Sequence, residues 1–262
     1  MLAAMRVDNQ QSQGRKTSDR TFDVLKTLIL AAGTLLLVSR PAPLLAEDTP
    51  AAVLDHTRSV YAALNSYSDT GKVLKEYSAS SRDEHSFTTY FTRSPRHFLF
   101  DYRKPDGDRL VVWGDPDAFH TWWKATGQLT DYPNPGNANA IILNDYPTSS
   151  TVTKISPMLY AKASLPGALQ HFQPEKMVTA DDGSGHKCFR LEGVTSDTYG
   201  STGRQVNVHL LALWIDASSY LVRKIVEQTP APPGALNRVT TTFNPQPNPQ
   251  LNDHLFQFAV PK

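Results

Sequence analysis

The alternation of apolar and polar positions is clearest between Phe87 and Tyr132. Phe98, Phe100 and Tyr102 recur at a spacing of two, with Leu99, Asp101 and Arg103 between them. That period predicts a half-buried strand. Phe87–Arg93, rich in aromatic and β-branched residues, precedes it across a Ser94–Pro95 break. Lys104–Gly107, Gly114–Asp117 and Ala125–Gly127 read as turns, because Pro presets φ, Gly accepts positive φ and Asp bonds its own backbone. Leu110–Trp113, Ala118–Lys124 and Gln128–Tyr132 lie between and after them, completing an antiparallel meander.

Upstream the period changes. In Thr49–Asn65, Val53, Leu54, Val60, Tyr61 and Leu64 fall on one helical stripe, with Thr49 as N-cap and Pro50 at the first helical position. Tyr67–Tyr77 supplies a first strand and Ser78–Glu84 a polar hairpin loop. Downstream, Pro133–Gly136 stops the sheet, and Ala138–Leu143 forms at most a helical turn. Ser156–Leu169 is a second helical region interrupted at Pro166–Gly167, a punctuation suited to a mobile lid. Glu175–Ala180, Lys187–Val194, Gln205–Ile215, Leu221–Gln228 and Leu236–Phe243 read as the second half of the sheet. Leu210–Ile215 is apolar on both faces, which predicts a central strand with the helix on one side and a concave interior on the other.

The most apolar run is Val24–Val38, preceded by Arg15, Lys16 and Arg20 and entered by Lys26. It is shorter than the roughly 20 residues that span a bilayer. With Pro41–Ala46 behind it, the run reads as a secretory signal cut after Ala46. An uncleaved anchor is the alternative, since Leu44 is not the small residue preferred three positions before a cut. Residues 1–46 are therefore expected to be a leader and residues 47–262 one domain, exported to the periplasm. The net charge of +1 gives no reason to expect a nucleic-acid partner.

Little points to catalysis. The eight histidines form no HExxH or HxH pair. Nucleophile-elbow, P-loop and dinucleotide glycine patterns are missing. Gly114–Asp117 and Asp181–Gly185 cluster carboxylates, but turn chemistry accounts for both, and neither has an EF-hand register. No catalytic residue, metal or cofactor is expected. Cys188, the only cysteine, reads as a buried inert thiol.

Two stretches carry a resemblance. Arg93-Ser94-Pro95, Phe98–Tyr102, Pro105-Asp106, Leu110–Val112, Gly114-Asp115 and Phe119–Trp122 follow the order seen in periplasmic outer-membrane lipoprotein carriers. The closing phrase Asn248–Asp253, Leu255–Phe258, Val260-Pro261 is similar too. The chain resembles this LolA-like superfamily, which includes related uncharacterised periplasmic proteins. The resemblance implies a mainly β (α+β) fold: a curved antiparallel sheet forming an incomplete half-barrel, with the N-terminal helix and short helices covering its concave side. It also implies a monomeric, non-enzymatic carrier that holds lipid, or the acyl chains of lipoproteins, in an apolar cavity. Inner- and outer-membrane transfer proteins would be further partners.

The expected cavity lining is Phe91, Phe98, Phe100, Trp113, Trp122, Leu211, Leu213 and Trp214. In the best-studied carriers an Arg directly before the Pro latches the lid. Here Ser94 holds that place, and Arg93 and Arg96 are the latch candidates. A one-residue step in a strand reverses the side chain. Either a bulge turns Arg93 inward, or the latch is absent. A structural or sensory envelope domain with a filled interior is the alternative function. An envelope enzyme, requiring His120, His209 or the aspartate turns to converge, is a further one.

Overall fold

Helix α1 (Pro50–Ala63) starts where Thr49 caps it, the Thr49 hydroxyl accepting from the Ala52 amide at 3.2 Å. A computed structural model describes residues 49–115, 117–133, 151–160, 169, 171–199 and 204–261, all within the unit Glu47–Lys262. The leader, the turn expected at 138–143 and the interruption at 166–167 lie outside these residues. Among the described residues no helix is long and apolar enough to cross a membrane.

The strands are β1 (Ser66–Glu76), β2 (Arg82–Arg93), β3 (Arg96–Arg103), β4 (Arg109–Gly114), β5 (Ala118–Trp123) and β6 (Gln128–Pro133). After helix α2 (Ser156–Tyr160) come β7 (Gln173–Asp181), β8 (Lys187–Tyr199), β9 (Arg204–Asp216), β10 (Val222–Gln228), β11 (Arg238–Phe243) and β12 (Gln246–Pro247). All ladders are antiparallel, in the order β6-β5-β4-β3-β2-β1-β11-β10-β9-β8-β7, with β12 beside β1. The result is the open, unclosed sheet of an incomplete half-barrel, mostly β, with two α-helices among the described residues on its inner side. Strand β2 begins at Arg82, inside the expected loop, because Arg82, Asp83 and Glu84 pair with Glu76, Lys75 and Leu74. Charged, exposed residues hid that extension from an apolarity pattern.

Alternation sorts the side chains onto two faces. The inner face carries the main core. Phe91, Phe98, Phe100, Leu211, Leu213 and Ile215 pack there with Val53, Leu54, Tyr61 and Leu64 of α1 and with Met158 and Leu159 of α2. The helices therefore sit on the concave side itself. The expectation that β9 divides a helix from a concave interior is corrected: its other face holds Leu210, 60% exposed, and Trp214. On the outer face Leu99, Val111, Trp122 and Phe256 form a second cluster, joined by Trp113 and Phe258. The segment after β12 lies across β3–β5 here. Asn248 anchors its start, the Oδ1 accepting from the Asn65 amide at 2.8 Å.

At Gly71 no side chain fits. A Cβ there would lie 2.2 Å from the Thr242 carbonyl oxygen and 2.4 Å from the Phe87 ring. The close approach lets Phe87 cross β1 and meet Phe243, their rings 5.5 Å apart.

Candidate functional site

Arg93 needs no bulge to face inward. Phe87, Thr89 and Phe91 are buried on the inner face of β2, and Arg93 continues their alternation. The β2–β3 register runs without a shift to Arg93↔Arg96. From there the guanidinium donates to the carbonyls of Leu64 (2.8 Å) and Tyr61 (3.5 Å), at the end of α1, and of Leu159 (3.1 Å), in α2. Helix C-termini leave carbonyls unpaired, so one planar donor set serves two helix ends. The guanidinium also stands 5.3 Å from the Phe91 ring centroid. Arg96, the other latch candidate, is half-buried on β3.

The α2 helix inserts beside this contact. Its Tyr160 ring lies 5.4 Å from Phe91, 5.7 Å from Phe98 and 6.0 Å from Phe119, with edge-on geometry each time. The Tyr160 hydroxyl is buried and makes no hydrogen bond among the described residues. Burial raises its pKa well above the usual phenol value. An unmet buried hydroxyl costs roughly 1–3 kcal/mol. Sequence reasoning placed Ser156–Leu169 over the sheet but did not single out Tyr160.

A second inner-face group escaped the sequence reading. Asp69, 2% exposed, accepts from Tyr67 Oη at 2.8 Å and from the Asn244 amide at 2.8 Å. Burial pushes its carboxyl up to about 7, partly offset by those hydrogen bonds and by Arg223. Tyr61, beside Tyr67, accepts from the Val222 amide at 3.1 Å. The period-two pattern Tyr67, Asp69, Gly71, Val73 was the available signal, since it sets Asp69 on the buried face.

The eight expected lining residues divide between the faces. Phe91, Phe98, Phe100, Leu211 and Leu213 come together on the inner face. Trp113 and Trp122 belong to the outer cluster, each ring against Phe258. Trp214 is also outward, flanked by Arg190 at 4.9 Å and Lys224 at 4.3 Å. Large indoles satisfied the aromatic count without satisfying the face parity. The interior around α2 is packed by side chains. A cavity of about 930 Å³ opens on the outer side, among Lys72, Ser86, Arg103, Thr242, Asp182 and His186, with Phe87 and Phe243 also in its walls.

The candidate catalytic groups do not converge. His120 pairs with Asp131 on the outer face of β5 and β6 at 2.7 Å, while His209 faces Glu227 on the inner face of β9 and β10 at 3.2 Å. The aspartate turns serve their own backbones, Asp115 accepting from Asp117 and Ala118, and Asp182 from Ser184 and His186. Cys188 is fully buried, and burial lifts its thiol to about 11.

Residues 51–262 match the model of a family described as "Predicted periplasmic protein (DUF2092)". No curated protein matches the chain. The chain is similar to the Mycobacterium tuberculosis lipoprotein LppX, with 9% identity over 78% of this chain and 98% of that one, at a TM-score of 0.39. It is similar to a LolA superfamily protein from Nitrosomonas europaea, at 10% identity, 80% and 98% coverage and a TM-score of 0.38. The MucA/MucB complex of Pseudomonas aeruginosa also matches, at 12% identity and a TM-score of 0.41, over 80% of this chain and 61% of that one.

Proposed function

We propose that this chain, which belongs to the DUF2092 family of predicted periplasmic proteins, is a non-enzymatic carrier that shelters acyl chains beneath α1 and α2. The periplasmic family description agrees with an exported chain whose leader, residues 1–46, directs it there. The observation that carries the reading is the plug at Arg93. A five-residue helix fills the apolar face, and one guanidinium ties it to α1 and β2. Such a plug is displaceable. Its Tyr160 hydroxyl is unpaired in the packed state and gains hydrogen bonds on leaving. Each methylene that takes its place gains about 0.8 kcal/mol on burial. Arg93 is then the latch of the empty form, and Phe91, Phe98, Phe100, Leu211 and Leu213 are the surface an acyl chain would touch. Trp113, Trp122 and Trp214 are left out of that surface. Cargo release would require a membrane-side partner, because burial of two or three chains is too favourable to reverse quickly.

The packed interior favours a second reading, a structural or sensory envelope domain whose core is its own. Native mass spectrometry of the full chain separates the two. After incubation with diacyl-lipid vesicles and removal of detergent, the carrier gives adducts of lipid mass, taken up faster by Arg93→Gln. A bare protein in both forms would leave the filled domain as the function.

A further inference from the structure

The inner face ends in titratable residues along one rim. Four strands change character within three successive rows. On β1 the inward series Gly71, Val73 ends at Lys75, and on β2 Phe87 gives way to His85. On β10 Ile225 is followed by Glu227, and on β9 Leu213 and Leu211 by His209. The ladder registers put these changes side by side: Leu211↔Glu227↔Val239↔Lys75, with Val73↔His85 one row nearer the apolar centre. A cavity of about 290 Å³ opens at this rim, lined by Lys75, Glu76, His209, Glu227, Arg238 and Val239, with Arg238 held by Glu76.

Two of the groups are unsatisfied. His85 is 6% exposed, stacks on Tyr102 at 5.3 Å, and neither ring nitrogen has a hydrogen-bond partner among the described residues. Buried polar groups without partners are rare and ask for a reason. Lys75, half-buried next to it, makes no hydrogen bond or ion pair among the described residues. Asp83 stands directly opposite Lys75 but accepts from Tyr77 Oη, and Lys104 is engaged by Asp108. Glu227 stands 3.2 Å from His209. Among the described residues the corner thus keeps one cation without a hydrogen bond and one orphan imidazole, both at the end of an apolar surface. Burial, then Lys104 in like charge, lowers the Lys75 pKa, and Asp83 opposes them with the smallest effect.

We propose that this rim receives the anionic headgroup, a phosphate or carboxylate, of an acylated ligand whose chains lie against the Phe87, Leu213 and Ile225 rows. Lys75 contributes the charge and His85 a hydrogen bond. The inference rests on the acyl-carrier reading and adds the ligand's polarity and direction: chains toward α2, headgroup toward Lys75.

Three probes test it with the full chain by native mass spectrometry: dioleoyl phosphatidylglycerol, dioleoylglycerol with the same chains and no phosphate, and glycerol 3-phosphate with no chains. We expect phosphatidylglycerol to be retained about tenfold better than dioleoylglycerol, the factor for a charge-assisted hydrogen bond worth ~1.4 kcal/mol. Lys75→Gln, at a half-buried strand end, should bring the two lipids level while dioleoylglycerol binding stays unchanged. His85→Gln should do the same in smaller degree, its folding checked by near-ultraviolet circular dichroism. Equal retention of both lipids by the unsubstituted protein overturns the headgroup site and leaves the carrier reading standing. Binding of none of the three probes removes the carrier reading and this inference together. Glycerol 3-phosphate bound as tightly as phosphatidylglycerol also overturns the inference, making the corner a free-anion site.

Discussion

Arg93→Gln isolates the contact between the sheet and its two helices. The guanidinium gives up short bonds to Leu64 (2.8 Å) and Leu159 (3.1 Å), while the 3.5 Å contact to Tyr61 is too long to count for much. Hydrogen bonds from charged donors are worth roughly 1.5–3 kcal/mol each. Arg93 is only half-buried, so solvent screening about halves that, leaving about 2 kcal/mol for the pair. A glutamine amide reaches one carbonyl at best. The loss should fall mainly on α2, which has only five residues; the Met158 amide in its first turn donates to the Ile155 carbonyl just before it at 2.9 Å. Native-state hydrogen exchange reads that amide directly. An opening free energy lowered by about 2 kcal/mol speeds its exchange about 30-fold. Urea unfolding should move less, because the ladders are untouched. If Met158 exchange is unchanged while the urea midpoint drops, Arg93 stabilises the sheet and does not retain α2. The latch argument would then be wrong.

Asp69 gives the stability a pH dependence. Its folded pKa of about 7 lies above the unfolded value near 3.9, so folding favours the protonated form. That contribution is complete below about pH 4 and is lost as the pH rises through 7, on the order of 4 kcal/mol in all. Asp69→Asn should flatten the stability profile between pH 4.5 and 8, and equal slopes in urea titrations would contradict the assignment. Gly71→Ala should cost about 3 kcal/mol or more in thermal unfolding, because Thr242 backbone and the Phe87 ring occupy the space a methyl would need. Phe256→Ala should cost about 3 kcal/mol by emptying the outer cluster, yet leave lipid uptake unaltered. A parallel loss of uptake would tie the outer face to the cargo.

The strand pattern was legible because turns and alternation are local. Phe98, Phe100 and Tyr102 face inward together, and Thr49 caps α1 where it was expected to. The half-barrel and its helix-covered side followed from the same pattern together with the resemblance. What failed was the assignment of wide aromatics to a face. Trp113 and Trp122 sit one position out of phase with the inner residues Val112 and Phe119. Short apolar strands such as β4, buried on both sides by the returning tail, give no polar position to mark the phase. Arg93 was misjudged by comparison with a neighbouring position, although counting by twos from Phe91 put it inward. The rim at Lys75 and His85 was out of reach, since it depends on which residues of β9, β10, β1 and β2 share a level, and that register is set by long-range pairing.

The join between β1 and β11 has a bearing on how the protein is made. These partners come from opposite ends of the described chain, Gly71 beside Phe243 and Glu76 beside Arg238. A chain delivered from its N-terminus can form the β1–β6 meander early, since each turn is local. One side of β1 then stays without a neighbour until residues 238–243 emerge. During that interval α1 has only half of its eventual floor, and the inner aromatic surface is open to water and to other chains. The apolar interior therefore comes into being late, with the arrival of the last long strand. A chain stalled or clipped before β11 would be a sticky half-sheet.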